Sequence, residues 1–419
     1  MKKIAALYRA SYTGLSPASW WLSFVILINR SGTMVVPFMT LYLTTKLGVS
    51  LTQAGIVMGI FGAGAVCGGF LGGRLCSLFG FYNVQLVTLA GGGLMFLVLG
   101  YMESFPLICA FTFVLSIVNE SFRPANSLAI AHYSDEGNRT RSFSLNRLAT
   151  NIGWALGGSL GGFLAAKNYH LLFIIDGCTN IFAAILLKIF LAPAKEEKKK
   201  AGTSQSVPQA VRFEAYKDKN YLFFCFLLII YAYTFFQLFS TLPVFYKQQL
   251  HLREEVIGLT MTTNGILIAL IEMVLIFKLE GRREPVHYIK WGTLLLGLSF
   301  VIFNIIPATG NITSWLSAGM MLAMTSTLIV TFGEMLSMPF MNTYWINRTT
   351  NDNRSGYAGL YTVSWAIAQV LGWWTGPVLA DKLGFTVFWW IIGANSLIAA
   401  GGFWYLQQWS KKKKATAMS

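Results

Sequence analysis

Apolar runs about as long as a lipid bilayer is thick recur along this chain, and they limit its possible folds more than any other feature. They can be placed at 20–43, 54–76, 84–101, 107–131, 144–166, 171–191, 221–245, 256–279, 289–306, 315–345, 358–379 and 386–407. A run of about 20 apolar residues crosses a hydrocarbon core of roughly 30 Å as a helix. A soluble chain of 419 residues that is 55% hydrophobic and 12% charged has too little polar surface to cover such runs, and the mean hydropathy is +0.56. Backbone exposed to lipid must satisfy its own hydrogen bonds, so helices are expected. The period-two alternation of a transmembrane barrel is missing. The expected fold class is therefore an all-α membrane protein with twelve transmembrane helices. The tenth run is long and is expected to tilt or to project into the cytoplasm.

The net charge of +15 is spread over alternate loops and does not form a stripe on one face. Lys2, Lys3 and Arg9 precede the first run. Arg139 and Arg141 follow the fourth, Arg282 and Arg283 follow the eighth, and Lys411 to Lys414 end the chain. The stretch between the sixth and seventh runs adds Lys195, Lys198, Lys199, Lys200, Arg212, Lys217 and Lys219. The opposite loops hold little beyond Lys46, Lys167, Lys247, Arg253 and Lys382. This asymmetry places both termini on the cytoplasmic side of the inner membrane, and it is not the footprint of a nucleic-acid binder. The N-terminal MKKIAALYR resembles the start of a signal peptide. Arg9 breaks the apolar stretch and no small-residue cleavage site follows, so it is expected to stay as a cytoplasmic leader. Cys67, Cys76, Cys109, Cys178 and Cys225 show no CxxC spacing, and His132, His170, His251 and His287 show no ligand spacing. No disulfide framework and no metal site is expected.

The only long polar interruption divides the runs six and six. The expected organisation is an N-terminal six-helix bundle at 1–191, a cytoplasmic linker at 192–220 and a C-terminal six-helix bundle at 221–419. The linker is rich in Lys, Glu, Ser and Gln, with a short amphipathic helix expected near 207–216. The halves repeat one another. A shift of 215 carries Pro124, Asn138, Arg139, Gly157 and Gly161 onto Pro339, Asn353, Arg354, Gly372 and Gly376. A shift of 203 carries Leu47, Gly55 and Gly62 onto Leu250, Gly258 and Gly265. Two pseudo-symmetric bundles follow from this, and in transporters built from such repeats the substrate site lies where the repeats meet.

Six plus six spans, a basic central linker and repeated halves resemble the major facilitator superfamily over nearly the whole chain. Gly153, Gly157, Gly158, Gly161 and Gly162 look like the fifth-helix antiporter motif gxxxGPxxGG, with Gly158 in place of the usual Pro. Small residues at this spacing let helices approach closely. The family's loop motif GxxxDRxGRR is matched by its glycines at Gly73 and Gly80, but Ser77 and Leu78 replace the Asp and Arg. A narrower resemblance, to proton-coupled oligopeptide transporters, rests on Asn29-Arg30, Arg123-Pro124-x-Asn126 and Gly333-Glu334 with Pro339. There Ile26 and Asn29 stand where that family has Glu, and Arg123 replaces a Lys.

Charges inside a span cost about 2.5–3.5 kcal/mol each at mid-bilayer, so they mark function. Arg30 is expected near the midplane, either as an anchor for substrate anions or as a partner in an ion pair. Glu334 is the leading proton carrier, since burial favours a protonated carboxyl. Glu272 is a second candidate. Glu120 is a third, and its spacing from Arg123 also allows the two to pair. Asp176 is expected to lie shallow, near the outer interface. Asn29, Arg30, Arg123, Tyr231, Gln237, Asn264 and Trp365 are the candidate substrate contacts, with Tyr233, Phe235 and Phe236 adding aromatic surface. Asn29, Asn151 and Asn264 also suit plain bridging between helices. The absence of a P-loop argues against ATP-driven transport, and the absence of HExxH or a partnered GxSxG argues against an intramembrane enzyme. The resulting expectation is a monomeric, lipid-embedded, proton-coupled transporter working by alternating access. It needs no cofactor beyond the proton gradient and exports small amphipathic molecules. The alternative is a proton-driven symporter of peptides or organic anions.

Overall fold

The computed structural model describes residues 14–134, 139–191, 214–279, 281–305, 318–349 and 353–418, and every regular element among them is helical. The N-terminal leader and most of the linker lie outside these residues; of the helix expected near 207–216, only α8 (Glu214–Lys217) is described. The N-terminal half comprises α1 (Pro17–Ser31), α2 (Val35–Thr45), α3 (Leu51–Phe79), α4 (Phe81–Leu99), α5 (Phe105–Tyr133), α6 (Arg139–Lys167) and α7 (His170–Phe190). The C-terminal half continues with α9 (Lys219–Phe236), α10 (Leu242–Gln248), α11 (Glu254–Leu279), α12 (Pro285–Ile305), α13 (Ala318–Ile346), α14 (Arg354–Leu383) and α15 (Phe385–Met418). With α1–α2 and α9–α10 each forming one broken span, these are twelve membrane-length rods, six per half.

Among the described residues, ten spans are long and apolar enough to cross a membrane by length and composition alone. The two rods that fall short, α6 and α14, run 29 and 30 residues. They are the fifth rods of their halves and carry the repeated glycines. Small residues at this spacing allow close approach on one face, and both rods carry exposed apolar side chains on another, such as Phe163 and Trp374. Large apolar side chains on the other rods also point outward, among them Phe70 (73% exposed) and Leu270 (69% exposed). That surface suits hydrocarbon.

The chain forms two compact units, one within Met1–Tyr42 and Ile60–Glu197, the other within Leu43–Gly59 and Lys198–Ser419. In the first, Leu22, Val25 and Ile26 of α1 pack with Leu89 of α4, Phe122 of α5 and Ala183 and Leu187 of α7. The second unit includes the first turns of α3. There Thr52 N donates to Asp381 Oδ2 (3.2 Å), and Gly55 and Gly59 lie against Trp374 and Pro377 of α14.

The first run does not form the single helix expected from its hydropathy; it breaks after Ser31. Ser31 Oγ turns back to Leu27 O (2.7 Å) and Thr33 Oγ1 to Asn29 O (3.3 Å). Gly32 lies against Thr179, whose side chain fills the space a Cβ would need. The freed N–H groups of Met34 and Val35 donate to Asp176 Oδ2 at 3.3 and 3.2 Å. Asp176 is 1% exposed, and its carboxylate is the N-terminal cap of a helix that starts inside the protein. The seventh run breaks in the same way between Phe236 and Leu242. Here the N–H groups of Thr241 and Leu242 donate to the main-chain carbonyl of Gln237 at 3.2 and 2.9 Å, and the Gln237 side-chain amide ties the break to its surroundings. Its Nε2 donates to Tyr233 O (3.0 Å) and Gly372 O (3.1 Å), and its Oε1 accepts from Thr241 Oγ1 (2.7 Å).

The glycine repeats sit on these breaks. A Cβ at Gly157 would meet the carbonyl oxygens of Thr33, Arg30 and Ser31 at 3.0, 3.1 and 3.3 Å, and one at Gly153 would come 2.5 Å from Arg30 Cβ. In the second unit Gly372 lies against Phe236 and Tyr233, and Gly376 against the Gln237 amide.

Candidate functional site

In the first unit, Arg30 ends α1 and sits half-buried at the break. Among the described residues it forms no ion pair; Glu120 and Asp176 attract it and Arg123 repels it from a distance. Glu120 instead pairs with Arg123 one turn away (3.5 Å), the Arg123 side chain being 71% exposed and the Glu120 side chain 18%. Asn29 is 5% exposed, and its Nδ2 donates to Asn180 Oδ1 (2.8 Å). Asn180 in turn donates to the carbonyl and carboxylate oxygens of Asp176 (2.8 and 3.0 Å). Asn29, Asn180 and Asp176 thus form a buried chain that fixes the broken helix. Asn151 is half-buried on α6. Nearby on α4, α5 and α6, Gln85, Asn126 and Asn146 make a second amide chain at 3.4 and 3.1 Å.

In the second unit, Glu334 lies mid-way along α13 with 7% exposure. Asn264 of α11 donates through Nδ2 to Glu334 Oε1 (3.2 Å) and to Thr331 Oγ1 (3.0 Å). Among the described residues Glu334 forms no ion pair. Glu272, also on α11 and 8% exposed, adds a second negative charge within electrostatic reach of Glu334. The Tyr231 side chain of α9 is fully buried beside Glu334 and Ser337. Its hydroxyl lies beside the Ser337 hydroxyl, which donates to Gly333 O (2.7 Å).

Trp365 of α14 is half-buried and edge-on to Tyr231, Phe235 and Phe236 at centroid distances of 6.4, 5.9 and 5.9 Å. Tyr233, by contrast, accepts from Thr375 Oγ1 (3.0 Å). Gln237 has no exposed surface, and its amide is spent on the helix break. The structure therefore brings Glu334, Asn264, Glu272, Tyr231 and Trp365 together in one unit, and Arg30, Glu120 and Arg123 in the other.

Several polar groups escaped the sequence reading, although the repeat already contained the signal. Asn180 shifted by 215 is Asn395, which donates to Ile230 O and Thr234 Oγ1, both at 3.0 Å. It thereby ties the sixth rod to the first rod in each half. At one end of each unit a further equivalence holds. Ser19 bonds to Tyr133 O (3.3 Å) and Ser142 Oγ (3.2 Å). The positions 215 further on from Tyr133 and Ser142 are Arg348 and Tyr357. Arg348 grips Asp218 through Nε and Nη2 at 3.0–3.2 Å, and Tyr357 donates to Asp218 Oδ2 (3.2 Å). Hydroxyls do in one unit what a bidentate ion pair does in the other.

The family model described as Major Facilitator Superfamily matches residues 20–372. An uncharacterized MFS-type transporter of Bacillus subtilis, YqjV, is 25% identical over 377 residues, covering 88% of each chain. A Na(+), Li(+), K(+)/H(+) antiporter of Planococcus maritimus is 23% identical, covering 93% of this chain and 95% of its own. Among solved structures, a POT family transporter in complex with 5-aminolevulinic acid superposes with a TM-score of 0.76 at 16% identity, over 96% of this chain and 97% of that one.

Proposed function

Because this chain belongs to the Major Facilitator Superfamily and is a multi-pass membrane transporter, we propose that it couples substrate movement to the proton gradient, exporting small amphipathic molecules by alternating access. The observation that carries the reading is Glu334. It is a carboxylate mid-way along an apolar helix, held by a neutral amide and, among the described residues, by no arginine. A carboxyl so placed is cheaper to keep protonated than charged, and it gains its charge when water or a cationic ligand reaches it. Taking up and releasing one proton per cycle gives the coupling. Glu272 and Glu120 are the secondary carriers. The likeness to a relative named as a cation/proton antiporter supports exchange with protons. The orientation with both termini in the cytoplasm rests on the loop charges.

The test is flux in sealed proteoliposomes under an imposed proton gradient. Glu334→Gln keeps the shape and removes the titratable group. It is expected to abolish gradient-driven flux while leaving the protein folded and monodisperse. Undiminished coupled flux would remove Glu334 from the mechanism.

One observation favours the second reading, proton-driven uptake of peptides or organic anions: the Arg30 guanidinium sits at a helix break with no hydrogen-bonded acceptor among the described residues. The direction of proton movement relative to substrate separates the two readings.

A further inference from the structure

In the second unit, α11 and α12 both pack along α13. Thr331 and Glu334 turn one side of α13 to Asn264 of α11. Gly333 and Ser337 turn another to Gly292 of α12. Helical spacing then puts Leu328 and Phe332 on the outer face of α13, between its two neighbours, and they are 42% and 40% exposed. On α11, Leu270, Val274 and Lys278 follow at four-residue spacing and are also exposed. The result is an apolar groove on the outside of the unit, floored by α13. The turn at 279–285 closes one end of it. That turn is fixed by Gly281 (φ +74) and by the Tyr288 hydroxyl, which donates to Leu279 O (2.8 Å). It is also basic. The stretch 278–290 holds Lys278, Arg282, Arg283 and Lys290 against Glu280 and Glu284. Lys278, Arg282 and Arg283 are exposed, whereas Glu284 is half-buried. Lys290 lies over the exposed Trp291 ring, 5.4 Å from its centroid. Among the described residues none of these four cations forms an ion pair. The fold does not require the charge. The matching turn between α3 and α4 also has a left-handed glycine, Gly80 (φ +78), yet Arg74 is the only basic residue between positions 70 and 90.

We infer that this turn and groove bind an anionic phospholipid. Lys278, Arg282, Arg283 and Lys290 hold its headgroup, and its acyl chains lie in the groove over Leu270, Val274, Leu328 and Phe332. The inference needs only that the chain spans a membrane, and it is independent of the coupling and substrate readings above. Basic clusters between helices at the membrane surface complement negative headgroups. Guanidinium groups match phosphate oxygens in geometry as well as charge, and the lysines add point charges from the two flanking helices. Trp291 marks the headgroup level, where an indole is anchored between water and hydrocarbon. A zwitterionic lipid offers the same phosphate but brings its own ammonium among four cations. An acidic protein segment would answer the charges and leave the apolar groove uncovered.

The experiment is native mass spectrometry of the purified full chain, stripped of lipid in mild detergent and titrated with one lipid at a time. Dioleoyl phosphatidylglycerol (anionic) and dioleoyl phosphatidylcholine (zwitterionic) share their acyl chains, and inorganic phosphate supplies the charge without them. Each basic residue near a membrane surface contributes about fivefold to the affinity for anionic lipid. Phosphatidylglycerol should therefore bind at least about tenfold more tightly than phosphatidylcholine. Replacing Arg282→Gln and Arg283→Gln together should lower the phosphatidylglycerol affinity about tenfold and leave phosphatidylcholine unchanged. Arg74→Gln, in the matching turn, should alter neither. Excess inorganic phosphate should not displace the lipid. Equal binding of the two lipids, a double variant that keeps the full preference, an equal loss in Arg74→Gln, or displacement by phosphate alone overturns the inference. The comparison between lipids uses the unaltered protein, so a variant that misfolds does not blunt the test.

Discussion

At the scale of single residues, the polar side chains inside the helices divide into those already spent and those left over. Asp176, Asn180, Asn29 and Gln237 are spent: each closes backbone or amide groups that a broken helix exposes away from water. Removing one member of such a set leaves the others unsatisfied, which costs about 1–3 kcal/mol per group. Asp176→Ala should therefore lower the thermal midpoint in detergent markedly, while Asp176→Asn, which keeps an acceptor for Met34 N and Val35 N, should lower it less. An equal, small shift for both would mean that the cap contributes little. Arg30 and Glu334 are the side chains left over. Arg30→Ala should weaken binding of the transported substrate more than it lowers expression; an affinity that does not change would make Arg30 a structural residue.

At the scale of helices, the fifth rod of each half acts as a flat bed for a broken first rod. The bed at Gly153, Gly157 and Gly161 leaves no room for side chains, since Cβ atoms there would press on the main chain around Arg30 and on Phe38. Gly157→Leu should push α1–α2 away and remove the folded, monodisperse protein, whereas a leucine at the open Gly69 of α3 should be tolerated in the same size-exclusion assay. The Asp218–Arg348 grip joins the start of α9 to the end of α13, with side chains 21% and 26% exposed. Its bidentate geometry sets it above an ordinary surface pair, which contributes about 0–1 kcal/mol. Exchanging the two residues should recover part of the thermal stability that either single change loses. No recovery would assign the loss to the cap that Asp218 provides at Asn220 N and Tyr221 N.

At the scale of the whole molecule, the loop charges make a prediction that needs no side-chain geometry. A fluorescent protein fused after Ser419 should mature in cells, and alkaline phosphatase fused there should stay inactive; the opposite result would invert the orientation. Twelve helices, six per half, were legible because a membrane accepts only segments whose length and hydropathy match it. The repeat was legible because both halves keep their prolines and glycines at matching spacing, and the close pairing of Glu120 with Arg123 follows from one helical turn. The sequence could not show that two of these spans are broken, because hydropathy reports where a segment partitions and not whether its backbone is continuous. Nor could it sort the intramembrane polar residues. Asp176 and Gln237 look as functional as Glu334 on a list of residue types, and they differ only in what surrounds them. That difference comes from groups far apart along the chain brought within hydrogen-bonding distance: Asn29 with Asn180, Asp218 with Arg348, Asn264 with Glu334. Composition and pattern determined the solvent, the element type and the duplication by themselves. Which buried polar group is satisfied and which remains available to a ligand is a question of three-dimensional neighbours, and only the tertiary structure decided it.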